Sequence, residues 1–301
     1  VTDARLAAER FNGLVSINDP NLELKAVGSI DLREGKNTLK IRALLDTAYL
    51  QKLNLSKDSI FLRTELVADI KGLSLDSLEG TADFRDFMVS YNTESLALDT
   101  IHLDAKRDKD HRSFILQTSL ADAEIEGEYN FSDLFNNIKT LLKEISLNIQ
   151  NDKAAITNYY RTKRFTPKSY QARIDIKLRN IKPIVTLLGI DFELSRNTSI
   201  KGSFTSGYTT IFQAYSGFDS LRYSGLLFLD TEVDFTASKI ADSTSVLAMA
   251  SVSSARQAIG PTLKTTNLLA EAIWNQNLID FGLDVDQEKQ TNYVRLKGAV
   301  K

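Results

Sequence analysis

The chain has 301 residues, of which 43% are hydrophobic and 25% are charged, and this composition excludes a disordered or collagen-like polymer. Its 37 lysines and arginines against 39 aspartates and glutamates give a net charge of −2, so no overall positive field favours nucleic acid as a partner. Because it has no cysteine, disulfides, thiolate metal sites and cysteine nucleophiles are also excluded.

Apolar and charged residues alternate with a period of two in segments along the whole chain. In the segment 59–84, Ile60, Leu62 and Leu66 share one parity, and Arg63 and Glu65 share the other. The same alternation occurs at residues 22–26, 39–43, 123–129, 173–179, 229–235 and 279–285. Strands with one apolar and one charged face predict an antiparallel sheet that is covered on one face. The strands of a doubly wound parallel sheet would instead be apolar on both faces.

Helical patterns are scarce. "SDLFNNIKTLLKEI", residues 132–145, has helical spacing, with Ser132 or Asp133 placed to cap its start. We expect its apolar face to contain Leu134, Phe135, Ile138, Leu141, Leu142 and Ile145. "KPIVTLLG", residues 182–189, predicts a short second helix with Pro183 in its first turn and Gly189 beyond its end. The ambiguous segment 266–275 is interpreted as a strand that leads through residues 275–277 into the next.

An internal repeat is indicated by similar segments in the two halves. Asp99 and Thr100 in "LALDTIHLDA" match Asp230 and Thr231 in "LLFLDTEVDFTA", 131 positions later. A repeated unit with one bare apolar face must stack on its neighbours to bury that face. We therefore predict a first β-groove module at residues 1–150, a linker at 151–170 and a second module at 171–301 that continues the sheet.

Candidates for chemistry are few. His102 and His111 have no second histidine at ligand spacing, and "DVDQEKQTN" from Asp284 lacks the central glycine and final glutamate of a calcium loop. No nucleophile elbow or phosphate-binding glycine loop is present. The basic and aromatic run 159–165 suits contact with lipid headgroups or a partner, but a solvated linker is favoured. We expect no catalytic, cofactor-binding or metal-binding residues and no enzymatic activity.

The fold class predicted from these patterns is mainly β, with a few short helices. A long antiparallel repeat sheet of this size must curl, and its apolar face would then form a hydrophobic groove. The candidate groove-lining residues are Leu22, Leu24, Ile41, Leu62, Leu66, Ile70, Phe84, Ile125, Tyr129, Ile174, Ile176, Leu229, Val233, Phe235, Phe281, Leu283 and Val285.

Several stretches resemble a known family. These are "FNGLVSINDPNLELKAVGSIDL" at 11–32, "LNLSKDSIFLRTELVADIKGLSLDSLEGTADF" at 53–84, "LDTIHLDA" at 98–105 and "LQTSLADAEIEGEYNFSDL" at 116–134. They resemble the AsmA-like superfamily, specifically the TamB-like proteins (translocation and assembly module subunit TamB) of Bacteroidota-type bacteria. The resemblance covers most of the chain and is strongest over residues 11–142.

The resemblance implies a curled sheet of the β-taco type in a periplasmic protein that is anchored to the inner membrane by a segment N-terminal to this one. It implies transport of phospholipid or other hydrophobic cargo between the inner and outer membranes in outer-membrane biogenesis. It also implies an outer-membrane assembly protein of the TamA type as a partner, and no cofactor apart from bound phospholipid or acyl chains. The alternative is a passive structural β-repeat that closes its apolar face by self-packing and assists outer-membrane protein assembly or secretion.

Overall fold

The computed structural model describes residues 4–7, 9–33, 35–150, 152–163, 168–241, 243–244, 246–260, 262–275, 278–287 and 291–300, without the side chains of 4–7 and 149. Strands make up 66% of the chain, and every strand pair whose register is known is antiparallel. The predicted class, a mainly β antiparallel sheet with a few helices, is therefore confirmed.

The described residues form eighteen strands and three helices. The strands are β1 (Ala4–Ala7), β2 (Arg10–Asp19), β3 (Leu22–Asp31), β4 (Thr38–Tyr49), β5 (Ile60–Lys71), β6 (Glu79–Tyr91), β7 (Glu94–Asp108), β8 (His111–Thr118), β9 (Ala121–Glu128), β10 (Tyr170–Leu178), β11 (Phe192–Leu194), β12 (Thr198–Ser206), β13 (Thr209–Tyr223), β14 (Leu226–Ile240), β15 (Val246–Ile259), β16 (Leu263–Asn275), β17 (Leu278–Gln287) and β18 (Tyr293–Val300). The helices are α1 (Phe131–Ile149), α2 (Lys153–Thr162) and α3 (Lys182–Leu187).

The chain divides into two compact units. The first comprises residues 1–124 and 179–191, and the second comprises residues 125–178 and 192–301. Both α1 and α2 belong to the second unit, whereas the predicted modules assign residues 131–149 to the first and residues 153–162 to a linker.

In the first unit, β2 to β8 pair antiparallel in chain order and β1 pairs with β2. Ile41, Ala68 and Ala82 lie side by side on β4, β5 and β6 and define the buried face of this unit. Ile184 and Leu187 of α3 pack against a buried cluster that contains Leu96, Leu98 and Leu120.

In the second unit, β12 to β18 pair in chain order, β10 pairs with β12 and β11 pairs with β13. Ala172, Phe204, Phe212 and Ala237 are register neighbours and define the buried face of this unit. The face opposite to the buried face is called the outward face in both units.

Helix α1 lies on the buried face of the second unit. The Tyr170 hydroxyl donates a hydrogen bond to the Asp133 carbonyl at 3.2 Å, and the Tyr170 ring stacks on Phe204 at 5.9 Å. Phe204 has no exposed surface, and Tyr170, which stacks on it, is hydrogen-bonded to α1, so α1 helps to cover this part of the face.

Two expectations about this helix are wrong. The N-cap is Asn130, whose side chain makes no capping hydrogen bond, and Ser132 and Asp133 already belong to the first turn. Leu134 and Leu141 are buried, but the other side of the expected apolar face is not: 55% of Phe135 and 60% of Leu142 are exposed.

The remaining local predictions are confirmed. Residues 182–187 form α3 with Pro183 in its first turn, and Gly189 follows with a φ of 64°. The ambiguous segment 266–275 lies in β16, but residues 276 and 277 of the turn expected after it lie outside the described residues.

Candidate functional site

The predicted groove residues of the first unit lie on its buried face. Leu66 pairs with Phe84, and Ile70 lies two rows away beyond Ala68. Ile41, Leu66, Ile70 and Phe84 are all partly exposed, whereas the most deeply buried residues around them are alanines. Large apolar side chains in a sealed core would be fully buried, so this face keeps an accessible apolar surface.

The remaining three residues of this unit lie farther along the same strands. Leu22 and Leu62 both lie opposite Ala48, and Leu24 lies opposite Leu45. All three predicted residues are partly exposed. The structure therefore brings together seven predicted residues in the first unit.

Most of the predicted residues of the second unit occupy two neighbouring rows of its buried face. One row joins Ile174, Phe235 and Phe281, and the next joins Ile176, Val233 and Leu283 through the intervening strands. Val285 continues this face along β17 and lies opposite Val294. The rows lie beyond the part that α1 helps to cover, and Phe281 is 39% exposed.

The three remaining predicted residues of the second unit are Leu229, Ile125 and Tyr129. Asp230 adopts a left-handed conformation with a φ of 49°, so the alternation on β14 is interrupted between Leu229 and the buried Thr231. Tyr129 is buried beyond the end of β9, donates a hydrogen bond to the Ile125 carbonyl at 3.1 Å and packs edge-on against Phe131. Its ring therefore packs against the start of α1.

An apolar cavity of about 460 Å³ lies on β14–β18 in the second unit. Leu283 and Val285 line it, as predicted residues, together with Leu226, Phe228 and Leu268, which sequence reasoning missed. Phe228 was missed because its parity is opposite to that of Val233 and Phe235 on the same strand. The left-handed Asp230 changes the phase between them, and an aspartate in a long strand is the only signal of this in the sequence.

The polar residues of the cavity lie towards one end of these strands. They are Gln257, Thr265, Asp286, Gln287 and Asn292, and no lysine or arginine is among the lining residues. Gln257 is buried, accepts a hydrogen bond from Thr265 at 3.0 Å and donates one to the Ser254 carbonyl at 2.6 Å. The cavity is thus an apolar space with a small, hydrogen-bonding, uncharged or acidic border.

A buried polar cluster is formed by Glu144, Tyr159, Tyr160, Lys163 and Lys239, which join α1, α2 and β14. The Glu144 carboxylate, 1% exposed, accepts hydrogen bonds from Lys163 at 2.5 Å and from the Tyr159 hydroxyl at 3.1 Å, and lies 3.5 Å from Lys239. Both lysines lie over the Tyr160 ring, with nitrogen-to-centroid distances of 5.5 and 5.0 Å. The cluster therefore fastens α1 and α2 to the buried face.

The tyrosines of this cluster are held in their protonated form. Burial, followed by the negative charge and hydrogen bond of Glu144, raises the pKa of Tyr159 to about 12. Burial and the charge of Glu144 raise the pKa of Tyr160 as well. Tyr160 and Lys163 are partly buried, whereas the linker interpretation of 159–165 expected solvated residues. Residues 164 and 165 lie outside the described residues.

The two histidines lie on neighbouring strands of the first unit. His102 lies on β7 with its Nδ1 2.7 Å from Asp83 Oδ1, and His111 is the first residue of β8. Among the described residues, no three histidine, cysteine or acidic side chains are grouped as metal ligands would be. Residues 288–290 of the segment compared with a calcium loop lie outside that part of the chain.

No helix in the described part of the chain combines the length and apolarity needed to cross a membrane. Comparisons with protein-family models, with curated proteins and with solved structures gave no match. The AsmA-like and TamB-like resemblance therefore rests on the sequence motifs alone.

Proposed function

We propose that the chain is part of a TamB-like bridge of the AsmA-like superfamily that crosses the periplasm and carries phospholipid or other hydrophobic cargo between the inner and outer membranes. In this proposal, a segment N-terminal to the chain anchors it to the inner membrane. Its partners are lipids and an outer-membrane assembly protein of the TamA type, and it has no enzymatic activity.

The apolar cavity on β14–β18 is the observation that carries the proposal. Its volume lies within the range of small-molecule sites, about 300–1,000 Å³, and apolar side chains line most of it. A methylene group fills about the volume of a water molecule, roughly 30 Å³, so the cavity would hold a chain of about 15 carbons. The partly exposed apolar residues on the buried face of the first unit provide a second surface of the same chemistry.

The proposal is tested by filling the cavity. Val294 lines it from β18, and Lys297 lies on the outward face of the same strand opposite Gly282. Val294→Trp adds bulk inside the cavity, whereas Lys297→Trp adds the same bulk outside it. We expect the first variant, but not the second, to reduce both the phospholipid that co-purifies with the chain and the binding of N-phenyl-1-naphthylamine.

Native mass spectrometry and organic extraction measure the bound lipid, and fluorescence measures the probe. Absence of lipid from the unaltered chain after purification without detergent, together with equal probe binding by both variants, would contradict the proposal. Circular dichroism of both variants establishes that they are folded.

One observation favours the alternative of a passive structural or interaction β-repeat. Phe204 and Ala237 have no exposed surface, and beside them α1 is bonded to Tyr170 and Lys239, as self-packing requires. If α1 covers the face for stability alone, the unaltered chain will contain no lipid, and Val294→Trp will change only its stability.

A further inference from the structure

The outward face of β13–β17 has an apolar centre. Met249 on β15 and Ile273 on β16 lie directly opposite each other, and 50% and 44% of their surfaces are exposed. Leu247, two residues from Met249 on the same face, is 43% exposed, and Ile211 on β13 lies two strands away in the same row. A contiguous exposed apolar area of this kind is typical of an interaction site.

Carboxylates surround this centre. Asp280 on β17 lies opposite Ile273, Glu271 is two residues from Ile273 on β16, and Asp234 lies in the same row as Glu271. All three acidic residues are exposed, and none of them forms an ion pair with another described residue. In the central part of this face, at the outward positions of residues 211–217, 232–238, 247–253, 269–275 and 278–284, there is no lysine or arginine, whereas Arg222, Arg256 and Lys264 lie farther along the strands. The central part of this face is therefore apolar and acidic.

The first unit shows what an ordinary outward face of this chain is like. Val27 and Val67 are 51% and 40% exposed there. The charged residues around them have both signs: Lys25, Arg42, Glu65, Asp83 and Arg85. Exposed apolar residues among mixed charges need no partner to explain them. The central part of β13–β17 differs in that its outward charged residues are all acidic, and Lys201 on β12 and Lys297 on β18 lie at its edges.

We propose that the outward face of β13–β17, centred on the Met249–Ile273 pair, binds a basic amphipathic helix of a partner protein. The backbone groups of these strands are used in pairing with one another, so a segment that lies on the face must satisfy its own backbone hydrogen bonds, as a helix does. Its apolar stripe covers Met249 and Ile273, and lysines or arginines beside the stripe meet the carboxylates.

The dimensions and charge of the surface agree with this occupant. Five strands spaced about 4.8 Å apart extend over roughly 20 Å, the length of about 13 helical residues. An anionic membrane surface would be repelled by Asp234, Glu271 and Asp280. A second copy of this chain docked through the same face would bring these carboxylates towards one another.

The probe is a labelled synthetic helix of about 18 residues, with leucines at helical spacing and lysines elsewhere, and its counterpart has glutamate in place of lysine. Fluorescence anisotropy with the purified 301-residue chain should show binding of the leucine–lysine helix only, weakened by salt. Met249→Ser combined with Ile273→Ser, and separately Glu271→Lys combined with Asp280→Lys, should each weaken it about ten-fold or more.

The matched control is Val27→Ser combined with Val67→Ser, which removes two equally exposed valines from the outward face of the first unit. It should leave the affinity unchanged. An equal loss with this control, or binding of the glutamate helix as tight as that of the lysine helix, would overturn the proposal. The charge-reversal pair gives an independent result if the serine pair unfolds the chain.

Two further measurements test the other occupants. A dimer in sedimentation that dissociates on Met249→Ser with Ile273→Ser would overturn the proposal in favour of a second copy. Binding to vesicles containing phosphatidylglycerol that is abolished by the same pair would overturn it in favour of a membrane. A chain that is monomeric and does not bind these vesicles supports the proposal.

Discussion

Removing the carboxylate at the centre of the polar cluster should destabilise the second unit strongly. In Glu144→Ala, the Lys239 and Lys163 side chains, 4% and 15% exposed, lose the carboxylate with which they form ion pairs. The Tyr159 hydroxyl loses its acceptor at the same time. Breaking a buried ion pair from one side costs about 3–5 kcal/mol, because a charge is left buried without compensation.

That loss corresponds to a large thermal shift. For a unit of this size, each kcal/mol lowers the unfolding midpoint by about 2–4 °C, so Glu144→Ala should lower it by roughly 6–20 °C. Differential scanning calorimetry measures the shift, and near-ultraviolet circular dichroism shows whether the tyrosines stay packed.

The control removes an exposed ion pair from the same helix. Asp133 is 25% exposed and its partner Lys168 is 64% exposed, at 3.0 Å, so Asp133→Ala should cost about 1 kcal/mol or less. Glu144→Met combined with Lys239→Met should recover much of the lost stability, since neither charge then stays buried alone. If Glu144→Ala shifts the midpoint no more than Asp133→Ala does, the carboxylate does not fasten the helices and the reasoning is refuted.

Three further predictions concern the faces, the strand contacts and the tyrosines. Phe235→Glu should lower the free energy of unfolding by several kcal/mol in urea denaturation, because it places a carboxylate on the buried face. Asp234→Ile, on the outward face, should change this free energy by about 0.5 kcal/mol or less. Equal effects of the two variants would show that the faces are assigned wrongly. Gly28→Ala should cost about 1–3 kcal/mol in the same assay, because its Cβ would collide with the backbone of β4, and Gly282→Ala, with open space around it, should cost much less. Burial and then the hydrogen-bonded carboxylate raise the pKa of Tyr159 to about 12, whereas an unfolded tyrosine titrates near 10. The contribution of this difference to stability is complete below about pH 10 and is lost as the pH rises towards 12. Tyr159→Phe should therefore make the unfolding midpoint fall less steeply between about pH 10 and 12, and an unchanged fall would show that the tyrosine is solvated.

Properties that depend on neighbours in the chain were predictable. The alternation in β10, where Arg173, Asp175 and Lys177 are exposed between Ile174 and Ile176, follows from the two-residue period of an extended backbone. Pro183 and Gly189 bound α3 because each fits the backbone angles of its position. The same local logic gave the antiparallel class, because one-sided strands cannot belong to a sheet covered on both faces.

The cavity was only half predictable. Leu283 and Val285 continue the alternation of β17, so their parity assigns them to the buried face. Phe228 and Gln257 reach the same cavity only because the left-handed Asp230 shifts the phase on β14, and the register then carries the shift to β15. A period of two gives the phase of a strand as long as its backbone stays extended, and one left-handed residue resets it.

The sequence by itself determined which residues share a strand face wherever the backbone stays extended, and where one amphipathic helix lies, since both depend on backbone period. Only the tertiary structure decided which of those faces become covered. In helix α1, Glu144 is buried and Phe135 is exposed. Glu144 is buried because it pairs with Lys239 on β14, 95 positions later, and with Lys163 beyond α2, 19 positions later. For the same reason, the apolar Met249 and Ile273 are exposed: pairing places them on the face that none of the described helices covers, and no local pattern records which face that will be.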